Sequence, residues 1–129
     1  MEVKYSEELK TAIEEAKKIA LANKSQSVGV EHIVVALLKY DQYTELQQLF
    51  DVFKINKVNI RTKLEELIEK DENKTEMPAE NMKLNVQAEN TLRRAFLLAR
   101  EFRSETVEAQ HFVLAILRDS GNEVNSVVK

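Results

Sequence analysis

The chain contains one apolar phrase twice, as VEHIVVALL at residues 30–38 and as AQHFVLAIL at residues 109–117. The third position of each copy is one of the two histidines of the chain. Segments with so few polar residues are too apolar for a surface helix, which has one apolar stripe and one polar face. We therefore expect two short helices near the centre of the fold. Their repetition predicts equivalent positions in two related units.

The repeat extends well beyond the two phrases. A shift of the sequence by 79 positions superimposes identical residues without a gap in the phrase, in the loop before it and in the preceding helix: Ala16 with Ala95, Ala20 with Ala99, Ser25 with Ser104, Val28 with Val107, His32 with His111, Val34 with Val113, Ala36 with Ala115 and Leu38 with Leu117. A repeat of this length predicts two similar helical bundles, packed about an approximate twofold axis so that each covers part of the other's apolar surface.

The composition predicts an all-α fold. The 129 residues include only two glycines and one proline, and the rest of the chain is rich in residues that favour helices. Polar residues suited to capping helix amino termini stand before three of the periodic apolar stretches, at Ser6, Asn56 and Asn85. The expected helices are Ser6 to about Asn23, the first phrase, Thr44 to Phe53, Asn56 to Lys70, a helix from Asn85, and the second phrase.

The repeat also divides the chain. We expect repeat 1 at about residues 4–70, an acidic linker at about 71–82 and repeat 2 at about 83–129. The linker, DENKTEMPAENM, contains the only proline and little apolar content. Each repeat should be a four-helix unit, but the second copy has no counterpart of the helix that ends at Lys70. We therefore expect a second repeat that is truncated at its C-terminus, and a sequence that is a piece of a longer protein.

Charge and composition argue against several classes of protein. The chain has no cysteine, which removes disulfides, thiolate metal sites and cysteine nucleophiles. Its net charge of -3 disfavours a nucleic-acid partner, because phosphate binding needs clustered lysine and arginine. No stretch reaches the roughly 18 apolar residues that cross a bilayer, and the start of the chain is charged. We expect a cytoplasmic protein that binds other proteins, with neither nucleic acid nor membrane as a partner.

The sequence contains no recognisable catalytic motif. A phosphate-binding loop needs closely spaced glycines, and the only glycines are Gly29 and Gly121. His32 and His111 are expected to be buried imidazoles that bond to nearby backbone; the alternative is a metal pair, but metal sites usually need three or four ligands. Only Glu31 offers a charged ligand beside either histidine. We therefore expect a non-catalytic domain with no metal and no cofactor of its own.

The two phrases, read in their longer forms VGVEHIVVALL and VEAQHFVLAIL after an alanine-rich helix, are similar to those of the amino-terminal domains of Clp ATPases. The chain resembles the ClpC and ClpA type most, with the ClpB type as a weaker relative, over about residues 4–129. This resemblance implies two tandem Clp-N repeats that form a substrate- and adaptor-docking domain. The domain would be tethered to a AAA+ unfoldase that acts in protein quality control and regulated proteolysis.

The same resemblance implies the partners. They are adaptor proteins, unfolded or marked protein substrates and, through the parent protein, a protease ring. ATP and Mg would act in other domains of the parent. Two alternatives stay open, namely a stand-alone adaptor of the same fold and a helical protein-interaction scaffold.

The resemblance further implies a binding site for phosphorylated arginine, a mark carried by some substrates. The Glu31 carboxylate would bind the guanidinium, while the Ser6 hydroxyl, the helix amino terminus and Lys4 would contact the phosphate. Repeat 2 has Asn85 and Gln110 at the matching positions, so we expect one such site at most. The alternative is that Glu31 only complements a helix dipole and Ser6 only caps a helix.

Overall fold

The computed structural model describes residues 4–39, 44–70, 74–76 and 78–119, with the backbone alone for residues 44–46. The elements in these ranges are the helices α1 (Glu7–Ala22), α2 (Val30–Leu38), α3 (Thr44–Val52), α4 (Lys57–Lys70), α5 (Val86–Glu101) and α6 (Ala109–Arg118), with a 3-10 turn at Ala79–Asn81. The described ranges contain no named strand, and the predicted all-α fold is confirmed. Parts of the predicted linker (71–73 and 77) and of predicted repeat 2 (120–129) lie outside the described residues.

The predicted capping residues begin three of these helices. The Ser6 hydroxyl accepts a backbone N–H from the first turn of α1 at 3.2 Å. The side-chain oxygens of Asn56 and Asn85 do the same for α4 at 3.0 Å and for α5 at 2.8 Å. Each cap satisfies one of the backbone donors that a helix amino terminus leaves free. The starts of these three helices are therefore as the sequence predicted.

The two apolar phrases form the centre of the fold. Every residue of α2 except Glu31 is buried, and Phe112 on α6 is among the largest fully buried side chains. α2 packs against α1 and α4 and also touches α5, while α6 packs against α5 and α3. Because each central helix contacts helices from both halves of the chain, one hydrophobic core joins the halves. The prediction of two buried central helices is confirmed.

A short backbone pairing joins the start of α1 to the loop before α6. Tyr5 and Val107 form an isolated parallel β-bridge. The Ser6 N–H donates to the Val107 carbonyl at 2.9 Å, and the Val107 N–H donates to the Lys4 carbonyl at 2.8 Å. We call residues 4–6 and 107–110 the first junction.

A second pairing joins the start of α5 to the loop before α2. Val28 and Leu84 form another isolated parallel β-bridge. The Asn85 N–H donates to the Val28 carbonyl at 2.8 Å, and the Val28 N–H donates to the Lys83 carbonyl at 2.8 Å. We call residues 83–85 and 28–31 the second junction.

The two junctions exchange under the 79-residue shift. Tyr5 is equivalent to Leu84 and Val28 to Val107, so the donors and acceptors of one junction become those of the other. Reciprocal contact of this kind is what an approximate twofold axis produces, because residue i meets residue j and the copy of j meets the copy of i. The junctions are therefore the places where the two halves of the chain meet in the same way.

The segment predicted as a linker packs more closely than its composition suggests. Met82 is buried in the core. Lys74 forms an antiparallel bridge with Ser25, and the Thr75 N–H donates to the Lys24 carbonyl at 2.7 Å. Backbone groups can pair whatever their side chains, so polar composition alone did not reveal these contacts.

Candidate functional site

Each histidine completes the start of a central helix. The Nδ1 atom of His32 accepts the Gly29 N–H at 2.8 Å, and the Nδ1 atom of His111 accepts the Glu108 N–H at 2.9 Å. In both cases a side chain at the third helical position reaches back to the capping residue, as glutamate does in a capping box. The prediction that both imidazoles are buried and bond to nearby backbone is confirmed.

The second ring nitrogen has a different setting in each half. Nε2 of His32 lies 3.1 Å from the Ser25 hydroxyl. Since Nδ1 accepts a hydrogen bond from the backbone, the neutral ring carries its proton on Nε2, and this N–H can donate a hydrogen bond to the Ser25 hydroxyl. The equivalent Ser104 hydroxyl instead donates to the Thr106 carbonyl at 2.7 Å, and the His111 ring stacks on Phe102.

The environment of His111 favours its neutral form. Burial lowers the pKa of His111 below its ordinary value, and the nearby Glu108 carboxylate opposes this shift in part. A neutral ring is also what the hydrogen bond requires, because a protonated Nδ1 could not accept the Glu108 N–H.

Glu31 is the one residue of α2 that is not buried, and its side chain is 21% exposed. Its Oε1 atom lies 3.5 Å from Nδ1 of His32. That nitrogen already accepts the Gly29 N–H, so with a neutral ring the contact is not an ion pair. The carboxylate therefore stands at the amino end of α2, where the helix dipole favours negative charge and where solvent can reach it.

The second half carries a carboxylate at the matching helix start, but on a different residue. Glu108 occupies the position equivalent to Gly29, and the Gln110 side chain donates to the Glu108 carboxylate at 2.9 Å. Position-by-position matching of Glu31 with Gln110 missed this charge. The signal was present in the sequence, since Gly-x-Glu in one repeat becomes Glu-x-Gln in the other and the acidic residue moves by two positions.

The three predicted site residues are distributed over both junctions. Lys4 and Ser6 lie together at the first junction, where their backbone bonds lead to Val107 and the start of α6. Glu31 lies at the second junction, next to the loop that bonds to residues 83–85. A single pocket built from all three side chains stays a prediction, and the backbone contacts favour two sites, each shared by the two halves.

Other kinds of site find little support. Among the described residues, no group of three or more histidine, aspartate or glutamate side chains is placed to hold a metal ion. Within those same ranges no helix has the length and apolarity needed to cross a membrane. The only glycines of the chain, Gly29 and Gly121, are too far apart in sequence to form a glycine-rich phosphate-binding loop.

Nearly the whole chain, including both junctions, matches a known protein family. Residues 4–129 match the family described as the Clp repeat (R) N-terminal domain. The chain belongs to the Clp N-terminal domain family. The resemblance inferred from the repeated phrases is thereby confirmed, whereas the assignment to the ClpC and ClpA type stays a prediction. No curated protein matches the sequence of this Clp N-terminal domain.

Solved structures with the same fold are distant in sequence. One, described under "Preliminary structural investigations of a malarial protein secretion system", has 22% identity and a TM-score of 0.76, and the match covers 97% of this chain and 84% of that one. The Hsp104 N-terminal domain from Candida albicans has 15% identity and a TM-score of 0.75, covering 96% and 79%. The N-terminal domain of the chaperone ClpD from Arabidopsis thaliana has 14% identity and a TM-score of 0.66, covering 97% and 92%. At these identities the similarity shows the fold alone.

Proposed function

We propose that this Clp N-terminal domain docks substrates and adaptor proteins for a Clp unfoldase that acts in protein quality control and regulated proteolysis. Family membership supports the coarser statement, since these are N-terminal domains of Clp ATPases and are generally non-catalytic. On that basis the domain is cytoplasmic and has no catalytic activity, metal or cofactor of its own. ATP, Mg and contact with a protease ring belong to the parent protein, and neither nucleic acid nor a membrane is a partner.

The observation that supports a docking role is the composition of the junctions. At each junction, one half of the chain contributes a lysine and a helix-capping residue, and the other half contributes a glutamate at the start of a helix. These residues are Lys4, Ser6 and Glu108 at the first junction, and Lys83, Asn85 and Glu31 at the second. Both lysines are exposed. A cation, backbone N–H groups and a carboxylate on residues of the same junction suit a ligand with an anionic end and a cationic end.

Phosphoarginine has that chemistry, because its phosphoryl group is anionic and its guanidinium donates in pairs to carboxylates. At the second junction Glu31 binds the guanidinium, while Lys83 and the start of α5 bind the phosphate. At the first junction Ser6 and Lys4 contribute the phosphate contacts, and Glu108 contributes the carboxylate. The predicted residues Glu31, Ser6 and Lys4 are thus retained, but they serve two sites instead of one.

Titration calorimetry with phosphoarginine tests this assignment on the whole chain. The wild type should bind the ligand weakly and should not bind free arginine, which lacks the phosphate. Glu31→Ala should weaken binding by about 1.5–3 kcal/mol, the usual cost of losing a charge-assisted hydrogen bond. Glu66→Ala is the matched control, since that residue is exposed on α4 and lies outside both junctions.

The two junctions are separated by comparing Glu31→Ala with Glu108→Ala. Loss of one binding event in each single variant, and of both events in the double variant, supports two sites. An unchanged titration in both variants would overturn the role of the carboxylates. Absence of any heat with millimolar phosphoarginine would overturn the ligand and leave adaptor docking to be tested separately, by binding of an unfolded model protein.

The alternative function is that of a stand-alone Clp-N-like adaptor or helical scaffold. It would use the same surfaces but would not be joined to ATPase modules. The reading frame beyond Lys129 distinguishes the two. Continuation into two Walker-A motifs supports the docking domain, whereas a stop codon soon afterwards supports the stand-alone protein.

A further inference from the structure

The carboxylates of the two junctions come from residues that are not equivalent in the repeat. In the first half the capping residue of α2 is Gly29, and the acid follows two positions later as Glu31. In the second half the capping residue of α6 is itself the acid, Glu108, and Gln110 stands two positions later. Two different pairs of residues therefore supply one carboxylate to equivalent helix starts.

In the first half the carboxylate occupies the space of a missing side chain. A β-carbon built on Gly29 would lie 2.7 Å from the Cδ and Oε2 atoms of Glu31. The Glu31 carboxylate thus fills the volume in which a side chain at position 29 would begin. A glutamate that folds back in this way requires glycine at the capping position.

In the second half the same volume belongs to the side chain of Glu108. This residue is half-buried, and its Oε2 atom accepts a hydrogen bond from Nε2 of Gln110, which is also half-buried, at 2.9 Å. A neutral amide donor restrains the carboxylate and leaves its charge in place. A second carboxylate at position 110 would instead repel it.

The two pairs are therefore alternatives that exclude each other. With a side chain at the capping position, a glutamate two positions later could not fold back to the same place. With glycine at the capping position, a glutamine two positions later would leave the helix start without a carboxylate. The combinations Gly-x-Glu and Glu-x-Gln each supply one.

We propose that Gln110 is the positioning residue of the first junction: it holds the Glu108 carboxylate at the start of α6, so that Glu-x-Gln performs there the role of Gly-x-Glu at α2. This inference rests on the proposed function, in which Glu108 binds the guanidinium of phosphoarginine. Gln110 binds Oε2 of Glu108, and Oε1 is the oxygen that accepts from the guanidinium. Gln110 itself acts only through Glu108.

The position of the Glu108 carboxylate can be followed without a ligand, through the neighbouring His111. That carboxylate raises the pKa of His111 and so opposes the lowering caused by burial. In an NMR titration, Glu108→Gln should lower the pKa of His111 further, because the charge is removed. Gln110→Met keeps the volume of the side chain but removes its N–H donor, and it should also change the pKa of His111, since the carboxylate is no longer held.

The matched control for this titration is Gln87→Met. Gln87 is also a half-buried glutamine, and it is the second residue of α5, as Gln110 is of α6. Its replacement should leave the pKa of His111 unchanged. A pKa of His111 that is the same in Gln110→Met as in the wild type would overturn the positioning role.

Calorimetry with phosphoarginine tests the consequence for binding in a chain that carries Glu31→Ala, so that the first junction is the site measured. In this background Gln110→Met should weaken binding about three- to tenfold, the range that corresponds to one hydrogen bond, and Gln87→Met should not weaken it. Equal affinities with and without Gln110→Met would overturn the inference. Absence of binding to the wild type would overturn the proposed function instead, and the titration of His111 would still decide whether Gln110 holds the carboxylate.

An exchange of residue pairs between the halves tests their equivalence. In the Glu31→Ala background, Glu108→Gly should weaken binding about tenfold or more, as expected for the loss of a charge-assisted hydrogen bond. Addition of Gln110→Glu recreates the Gly-x-Glu pair and should restore most of the lost affinity, a non-additive result expected of residues that act together.

The need for glycine is tested by the same rescue starting from Glu108→Ala. Gln110→Glu should restore clearly less affinity there, because the alanine β-carbon takes the space that the carboxylate needs. Unchanged circular dichroism spectra would show that the variants fold. No rescue of Glu108→Gly, or equal rescue of Glu108→Gly and Glu108→Ala, would overturn the equivalence of the two pairs.

Discussion

The Glu31 side chain folds back over the Cα of Gly29. A methyl group built on Gly29 would lie 2.7 Å from the Cδ and Oε2 atoms of Glu31, closer than unbonded atoms approach. Gly29 is also the residue whose N–H donates to His32, so its backbone is fixed while the space beside its Cα is filled by the carboxylate. The absence of a side chain at position 29 therefore permits the observed position of the Glu31 carboxylate.

Gly29→Ala should displace the carboxylate without unfolding the domain. The obstructing atoms are the end of a flexible side chain, so the loss of stability should be about 1 kcal/mol or less, and part of it reflects the poorer capping by alanine. If phosphoarginine binds Glu31, Gly29→Ala should weaken that binding about as much as Glu31→Ala does. Urea unfolding and calorimetry measure the two effects, and addition of Gly29→Ala to Glu31→Ala should cause no further loss of affinity.

Replacement of His32 should separate its hydrogen bonds from its volume. His32→Ala should reduce the free energy of unfolding by about 2–4 kcal/mol, because it leaves a cavity in the core and removes the acceptor of the Gly29 N–H. His32→Gln should cost clearly less, since glutamine at this helical position can still accept that N–H. Equal losses in the two variants, measured by urea unfolding, would mean that the hydrogen bond contributes little.

The buried His111 should make the stability of the domain depend on pH. Burial lowers its pKa in the folded state below the ordinary value of 6.5 that applies in the unfolded chain. As the pH falls through 6.5, the unfolded state takes up a proton first, so this contribution to stability is present above 6.5 and is lost progressively towards the folded pKa. In urea unfolding at several pH values, the free energy of unfolding of the wild type relative to His111→Gln should be highest above pH 6.5 and should decrease as the pH falls. An NMR titration of His111 with a pKa above 6.5 would contradict the expected sign.

The two equivalent helix caps should contribute comparable stability. Ser6→Ala and Asn85→Ala should each reduce the free energy of unfolding by about 0.5–2 kcal/mol. Asn85→Ala should cost at least as much, because its hydrogen bond is 2.8 Å long and that of Ser6 is 3.2 Å. Ser6→Thr is the control, since threonine also caps helices. A negligible effect of either alanine variant in thermal unfolding would show that the junction bonds, not the cap, fix that helix start.

Local physical chemistry explains why the sequence predicted the helices so well. Capping depends on one side chain and the N–H groups two or three residues later. The helix starts at Ser6, Asn56 and Asn85 could therefore be predicted without the tertiary structure. Burial of the two phrases follows from their composition, because a helix that is apolar on all sides must lie inside the protein. The roles of His32 and His111 were equally local, since each ring bonds to backbone three positions earlier in the chain.

The helices, the repeat and the family could all be predicted from the amino-acid sequence, because they depend on contacts between neighbours in the chain or on matches along it. The grouping of residues into a site depends instead on long-range contacts. Ser6 bonds to Val107 and Val28 bonds to Asn85, and these partners are far apart in sequence. Such pairings are made by backbone groups, which every residue carries, so the residue types do not indicate which segments will pair. For the same reason we assign Glu108 a role only from the fold, which pairs the loop before α6 with residues 4–6 at the first junction.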